Sequence, residues 1–484
     1  MTDYQTIQAK SVNQWHASSD VIVVGFGAAG SCAAIEAAAA GAKVLVLERA
    51  SGISGTTCMA TGHFYLGGGT RPQLANGLED TVEDMFNYLV ANTPEPDLNK
   101  IRLYCEQSVE HFNWLVDHGV PFNDGFYRRK HYEQPTDECL IWSGNEKAWP
   151  FSQQAKPVAR GHKVENVGSE GGGLVMRKLN EAAQQLQVEF QFDARVTNLV
   201  SDEQGHISGV RYTHFGEERF VAARNGVVLA AGGFAMNQSM LEQYCPKLAH
   251  PGVVKQGNPN DDGAAINMGL AAGGYATHME GALITAPFYP PESLLKGILV
   301  NSHGQRFINE DSYHARTMTA CLDQPNGIAY LITDNACFGR PEIQMQELID
   351  AWEDIATMEQ GLGLPAGSLQ QTLADYNAHA AEGKDPTFHK HSDWLQPLIE
   401  APYAALQCSL GESVYVGFTL GGLRVSAQGE VMTEAGDAII GLYAAGACAS
   451  NIAQDGAGYS SGTAIGESTF FGRRAGRHVA SGSC

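Results

Sequence analysis

Three glycines, one glutamate and a run of hydroxyl side chains carry the chemistry that spacing alone makes visible. Gly25-x-Gly27-x-x-Gly30 follows directly on the apolar run Val21 to Val24, and Glu48 lies 18 residues beyond Gly30. In such a unit the first glycine permits a sharp turn, the second lets backbone approach a pyrophosphate, and the third packs helix against strand. The diphosphate then sits at a helix N-terminus, where free N–H groups and the helix dipole favour negative charge. Glu48 is placed to accept both ribose hydroxyls, and its charge repels a 2′-phosphate. The stretch Gly52 to Gly62, GISGTTCMATG, is rich in glycine and hydroxyls where a nicotinamide enzyme would begin its next helix. A flavin needs extra backbone and hydroxyls beyond the diphosphate, and Thr56, Thr57 and Thr61 suit that need.

The elements that must position these residues read as α/β. Val21–Val24 and 43–47 have the short, β-branched character of buried parallel strands, joined by a small-residue helix that Gly41 ends. From Glu79 to Gly119, Met85, Tyr88, Leu89, Ile101, Tyr104, Phe112 and Leu115 recur at helical steps and read as core. Segment 121–159 is irregular, rich in Tyr, Trp and charge, and suits a loop at the mouth of a site. Another helix begins at Gly171, and strand character returns over 188–200. Residues 206–213 and 219–223 form a predicted hairpin, and 226–234 a further buried strand ending in paired glycines. Asn260-Asp-Asp-Gly263 precedes a helix, with Asp262 either reaching a ribityl or diphosphate hydroxyl or simply capping that helix. The glycine-rich pattern stops between 275 and 416 and resumes at Gly441–Gly446 and in the helix after Gly456, where Gly466, Gly472, Ala475 and Gly476 permit close packing. The expected architecture is therefore a Rossmann-like FAD-binding domain split in sequence, 1–274 and 417–484, with an inserted α+β capping domain over 275–416. The N-terminus of the last helix is expected to stabilise negative charge on reduced flavin.

The formal charge is −22, from 31 basic and 53 acidic residues. That argues against nucleic acid or an anionic membrane as partner. Ten cysteines without a CxxC pattern fit reduced thiols rather than a zinc site or disulfide framework. Residues 1–19 lack an apolar signal core, and Glu36, Lys43 and the glycines interrupt the low-polarity run 21–47, so a cytoplasmic chain without a membrane span is expected. His389-x-His391 has no carboxylate or cysteine partner in its motif and reads as structural rather than metal-binding.

The ordered pieces from about Asp20 to Arg477 resemble the fumarate reductase/succinate dehydrogenase flavoprotein superfamily. They are the glycine unit, Ser54–Gly62, 260–263, Val300-Asn-x-x-Gly-x-Arg-Phe-x-Asn-Glu310, Tyr376-Asn…Gly383-x-Asp385-x-x-Phe388, Thr419-Leu-Gly-Gly422, Leu442–Gly446 and the C-terminal helix. The resemblance implies FAD beneath a capping domain, and the missing glutamate- or histidine-type covalent linkage leads to the expectation that it is non-covalent. The same resemblance implies cofactor contacts at Gly25, Gly27, Ala29, Gly30, Glu48 and Arg49, and along the loop at Ser54, Gly55, Thr56, Thr57, Met59, Thr61 and Gly62. Further contacts are implied at Val196, Ala231, Gly232 and Asp262, and at the C-terminal end at Gly446, Ala447, Gly462, Thr463 and Ala464. Cys448 stands where many relatives place a glutamate.

Two departures bear on substrate. Dicarboxylate reductases of the superfamily have a carboxylate-binding histidine in His-Thr-x-Gly-Gly, and here that position is Phe418. They also carry an arginine proton donor after the Asn-Glu of the cap motif, near which this chain has Tyr313 and His314. A substrate carboxylate facing Phe418 in a dry site would be unpaired, at a cost of several kcal/mol, so a neutral, apolar substrate is favoured. The run Gly458-Tyr459-Ser460-Ser461-Gly462 is similar to that of 3-ketosteroid Δ4-(5α)-dehydrogenases and unlike the Tyr-Pro-Gly-x-Gly loop of the 1-dehydrogenases. By that resemblance Ser461 removes a proton from C4, Tyr313 shuttles it towards solvent, Tyr459 hydrogen-bonds the C3 carbonyl, and flavin accepts hydride from C5. The chemistry is coherent, because desaturation beside a ketone needs an enolate-stabilising donor, a base and a hydride acceptor. The competing expectations are a 1-dehydrogenase, a reductase of a small unsaturated acid, and a flavin-binding subunit without chemistry of its own. No long amphipathic docking helix supports the last. The electron acceptor is not legible.

Overall fold

A computed structural model describes residues 4–482. The outermost positions of the expected first and last segments, 1–3 and 483–484, lie outside them. The apolar runs fold as spacing predicts: strand β1 (Ala17–Val24), helix α1 (Ala28–Ala39) and strand β2 (Val44–Leu47) form one βαβ unit with β1 and β2 parallel. Strand β3 (Glu217–Leu229) lies on the other side of β1, also parallel to it.

The hairpin expected at 206–223 and the separate strand expected from 226 share β3, which is continuous across both. Its first half pairs antiparallel with Ile207–His214, and its second half pairs parallel with the late strand Ala438–Ala444. The change of partner occurs at a bulge between Ala223 and Gly226. Gly226 has φ +146°, and a Cβ there would lie 2.6 Å from the Gly441 carbonyl oxygen, so only glycine lets the incoming strand approach. The resulting nine-stranded sheet is mixed, with its parallel centre facing the glycine turn.

Three further strips of structure build the roof of the site. Strand β4 (Ala282–Thr285) and strand β5 (Tyr415–Thr419) pair antiparallel, with Val253–Lys255 on the far edge of β5. Between them in sequence runs helix α2 (His314–Leu322). A four-stranded antiparallel sheet of Ile298–Asn301, Ala329–Thr333, Tyr403–Gln407 and Leu348–Trp352 carries helices Ile355–Leu362 and Ser368–Ala380. Beside this sheet, Arg306 is sandwiched between Glu310 and Asp385, each 3.0 Å from Nη2, and Lys390 lies 3.1 Å from Glu310. All four side chains are buried, so the cap-motif residues form one closed ionic network.

Strand β6 (Ala438–Ala444) and helix α3 (Thr463–Ala480) close the fold. Gly472 and Gly476 of α3 lie on α1, where an added Cβ would stand 2.4 and 2.2 Å from the carbonyl oxygens of Ala29 and Ala33. The close crossing brings Arg473 and Arg477 onto Glu36, each within 2.9 Å. Glu36, the charge that interrupts an otherwise apolar helix, is the anchor of this pair.

Candidate active site

A cavity of about 870 Å³ runs from the glycine turn, under β4 and β5, to the start of α3. At one end, α1 begins at Gly27 without a side-chain cap, leaving its first turn open to an anion. The Glu48 carboxylate accepts the N–H of Phe26 and of Ala50, both at 2.8 Å, which holds it at the apex of the turn. Thr57 Oγ1 accepts from the N–H of Ala28 at 3.1 Å, and Thr56 donates to Asp261. Thr61 Oγ1 lies 2.6 Å from His63 Nδ1, and burial pushes the His63 pKa down to about 4.

Of the cofactor residues named from sequence, Gly25, Gly27, Ala29, Glu48, Arg49, Ser54, Gly55, Thr56, Thr57, Met59 and Thr61 line the cavity. So do Val196, Ala231, Gly232, Asp262, Gly446, Ala447, Gly462 and Ala464. Gly30, Gly62 and Thr463 do not. Gly30 abuts the carbonyl of Gly25 and Gly62 abuts Gly171, while Thr463 Oγ1 donates to the Ser460 carbonyl at 2.8 Å. These three shape the walls from behind. Asp262 lines the cavity, but Oδ2 accepts from Arg49 at 2.7 Å and Oδ1 from the N–H of Ala264 at 3.1 Å. Cys448 turns away, its thiol donating to the Leu229 carbonyl at 3.1 Å. The uncapped helix, the held carboxylate and the size of the cavity fit a dinucleotide with a long flavin extension.

At the other end three side chains from distant stretches converge. Tyr313 OH lies 2.8 Å from Ser461 Oγ. Tyr459 OH accepts the N–H of Ala464, in the first turn of α3, at 3.1 Å, so its own proton remains free to donate. The Tyr313 and Tyr459 rings are 6.5 Å apart, and Phe418 meets Tyr459 edge-on at 5.9 Å. Burial drives the pKa of both tyrosines above the ordinary phenol range, so both are neutral hydroxyls at physiological pH. The basic residues lining the cavity are Arg49, Arg195 and Lys255. Arg49 is committed to Asp262 and Lys255 to the His250 carbonyl, and none of the three hydrogen-bonds the trio. The nearest arginine along the chain, Arg316, lies 4.9 Å from the Phe151 ring and does not line the cavity.

The irregular 121–159 segment holds the trio in place. Ser143 accepts the Ser461 N–H through its carbonyl at 2.8 Å, and Asn145 Oδ1 accepts the Tyr313 N–H at 2.9 Å. Tyr88 OH accepts the Asn145 N–H at 2.7 Å and lies 2.9 Å from Ser460 Oγ. Tyr132 and Glu133 also line the cavity. His389 and His391 lie elsewhere: His389 packs at a tilt against Trp149, ring centroids 4.6 Å apart, and His391 lies 3.4 Å from Asp393.

Comparison with known proteins places this geometry among flavoproteins. A family model described as "FAD binding domain" matches residues 20–464. The crystal structure of a 3-ketosteroid-Δ4-(5α)-dehydrogenase from Rhodococcus jostii RHA1, in complex with 4-androstene-3,17-dione, superposes with a TM-score of 0.92 at 42% identity, covering 98% of this chain and 99% of that one. A 3-oxo-5-alpha-steroid 4-dehydrogenase of Comamonas testosteroni is 26% identical over 90% of this chain and 93% of its own. A probable fumarate reductase of Shewanella frigidimarina is 25% identical over 96% of this chain and 75% of its own.

Proposed function

Because this chain belongs to the FAD-binding family of flavoprotein oxidoreductases, we propose that it introduces a C4–C5 double bond into 3-keto-5α-steroids. The observation that carries the proposal is the Tyr313–Ser461 hydrogen bond of 2.8 Å beside a tyrosine whose hydroxyl proton is free, under the apolar wall of Phe418. When bound, FAD supplies the acceptor for the hydride leaving C5. Tyr459 donates to the C3 carbonyl oxygen, where charge develops as the C4 proton departs. Its elevated pKa keeps that proton on the phenol until the enolate forms. Ser461 Oγ takes the C4 proton while passing its own hydroxyl proton to Tyr313. A buried phenol that resists ionisation suits this relay, releasing one proton towards solvent as it receives another, better than it suits storage of a phenolate.

Leu283, Phe418 and Leu420 pack around Tyr313 and Tyr459 as an apolar wall, and among the described residues no lysine or arginine hydrogen-bonds the trio. That supports a neutral ketone over the dicarboxylates taken by reductases of the same superfamily. The experiment is anaerobic mixing of the holoenzyme with a 5α-3-ketosteroid, which is expected to bleach the flavin absorbance. An unchanged spectrum across several such steroids, with reoxidation of the reduced enzyme by fumarate, overturns the proposal. No helix among the described residues is long and apolar enough to cross a membrane.

A further inference from the structure

Past Tyr313, Tyr459 and Ser461, one stretch of the cavity wall is apolar. Leu283, Val416, Phe418, Val254 and Met345 all line it. Set among them, Thr285 Oγ1 and His314 Nδ1 lie 2.7 Å apart, both buried and both lining the cavity. Burial drives the His314 pKa down to about 3, so the imidazole is neutral. Its Nδ1 is committed to Thr285, and Nε2 has no protein hydrogen-bond partner among the described residues. Lining an apolar wall with an imidazole and a hydroxyl costs solvation that a valine and a leucine would not. The pair therefore needs a reason, and an unpartnered nitrogen on the cavity side supplies one.

The register of the roof places the pair relative to the chemistry. Leu283 stands opposite Phe418, which touches Tyr459, and Thr285 stands opposite Val416. Thr285 is two residues further along the same face of β4, roughly 7 Å from the level of Leu283 at a strand's rise. A steroid with its C3 carbonyl at Tyr459 and its flat skeleton along this face would bring its later rings level with the pair. We propose that Thr285 and His314 hydrogen-bond a second oxygen on ring C or D, so that the enzyme selects 3-ketosteroids oxygenated beyond the reacting ring. This rests on the steroid reading above. The shared proton between Thr285 and His314 sets the preference within that class: Nε2–H donates to a ketone if the threonine gives its proton to Nδ1, and bare Nε2 accepts from an alcohol if it does not.

The test is the kcat/KM of the holoenzyme for 5α-androstan-3-one against its 11- and 17-oxygenated derivatives, ketone and alcohol. At least one oxygenated steroid is expected to be preferred about tenfold, the scale of one hydrogen bond in a dry site. Thr285→Val is expected to bring that ratio towards one through KM, and Thr285→Ser to restore it. Thr285→Ala serves as a second hydroxyl-free variant if the valine protein does not accumulate. A wild-type enzyme indifferent to the second oxygen overturns the proposal, as does a Thr285→Val ratio equal to wild type. An equal loss on every substrate would make the pair a strut holding the start of α2 to β4, and would overturn it too. If no steroid reduces the flavin, the parent reading fails, and the wild-type enzyme alone reveals it.

Discussion

Serine is a weak base, and the role proposed for Ser461 depends on what surrounds it. Ser461→Ala is expected to lower steroid turnover by about 10²–10⁴-fold, the range for a lost proton-transfer group. Tyr459→Phe is expected to cost about 10²–10³-fold through the missing enolate donor. Both variants should retain FAD by absorbance, and loss of flavin would instead mark them as structural. The proximity of Tyr459 and Ser461 was legible because they sit in one short run beside a helix start. Ser143 and Asn145 were not: Ser143 works through a carbonyl that any residue possesses, and Asn145 lies in a stretch without periodicity. Glu467 offers a pH test. Burial raises its carboxyl from 4.5 to about 7, against the N–H groups of Ile452 and Ala453 that donate to Oε2 at 2.8 and 3.1 Å. A raised acid contributes stability below its unfolded pKa and loses it as pH climbs through the folded one. Wild type is therefore expected to lose about 3 kcal/mol relative to Glu467→Gln between pH 4.5 and 8, measured by denaturant unfolding of the two proteins in parallel.

Two element pairs decide whether those residues meet. The crossing of α1 and α3 depends on glycine at 472 and 476, and its small-residue pattern was readable from sequence because crowding leaves a compositional trace. Gly476→Val would drive a side chain into the Ala33 carbonyl and is expected to cost about 1–3 kcal/mol. Because the first turn of α3 holds the Tyr459 hydroxyl, the same variant should also bind FAD more weakly, measurable as flavin lost on gel filtration. The Arg306 network acts on the other flank. Its motif was visible in the chain, yet its role was not, since the partners Glu310, Asp385 and Lys390 close only in three dimensions. Arg306→Met leaves two carboxylates facing one lysine in a dry place and is expected to cost about 3–5 kcal/mol, read as a lowered melting temperature. Tyr313 follows this network in the chain by a few residues, so turnover should fall with it.

At the level of the whole molecule, the glycine unit and the split flavin fold could be read from sequence because strand–turn–helix spacing is local. The joining of 207–229 and 438–444 into one sheet could not, since a partner switch at a single bulge leaves only one glycine as its sign. The flavin is expected to be held without a covalent bond, so acid or heat denaturation should release intact FAD into the filtrate, and a flavin-labelled peptide would contradict this. The same long-range joining governs how the molecule comes into being during synthesis. Glu36 leaves the ribosome hundreds of residues before Arg473, and β3 must wait about half as long for β6, with one margin of its sheet unpaired. Translation thus delivers a nascent polypeptide that is inert and sticky until its last helix appears. Premature stops near the 3′ end of the message should yield aggregates rather than a sluggish enzyme.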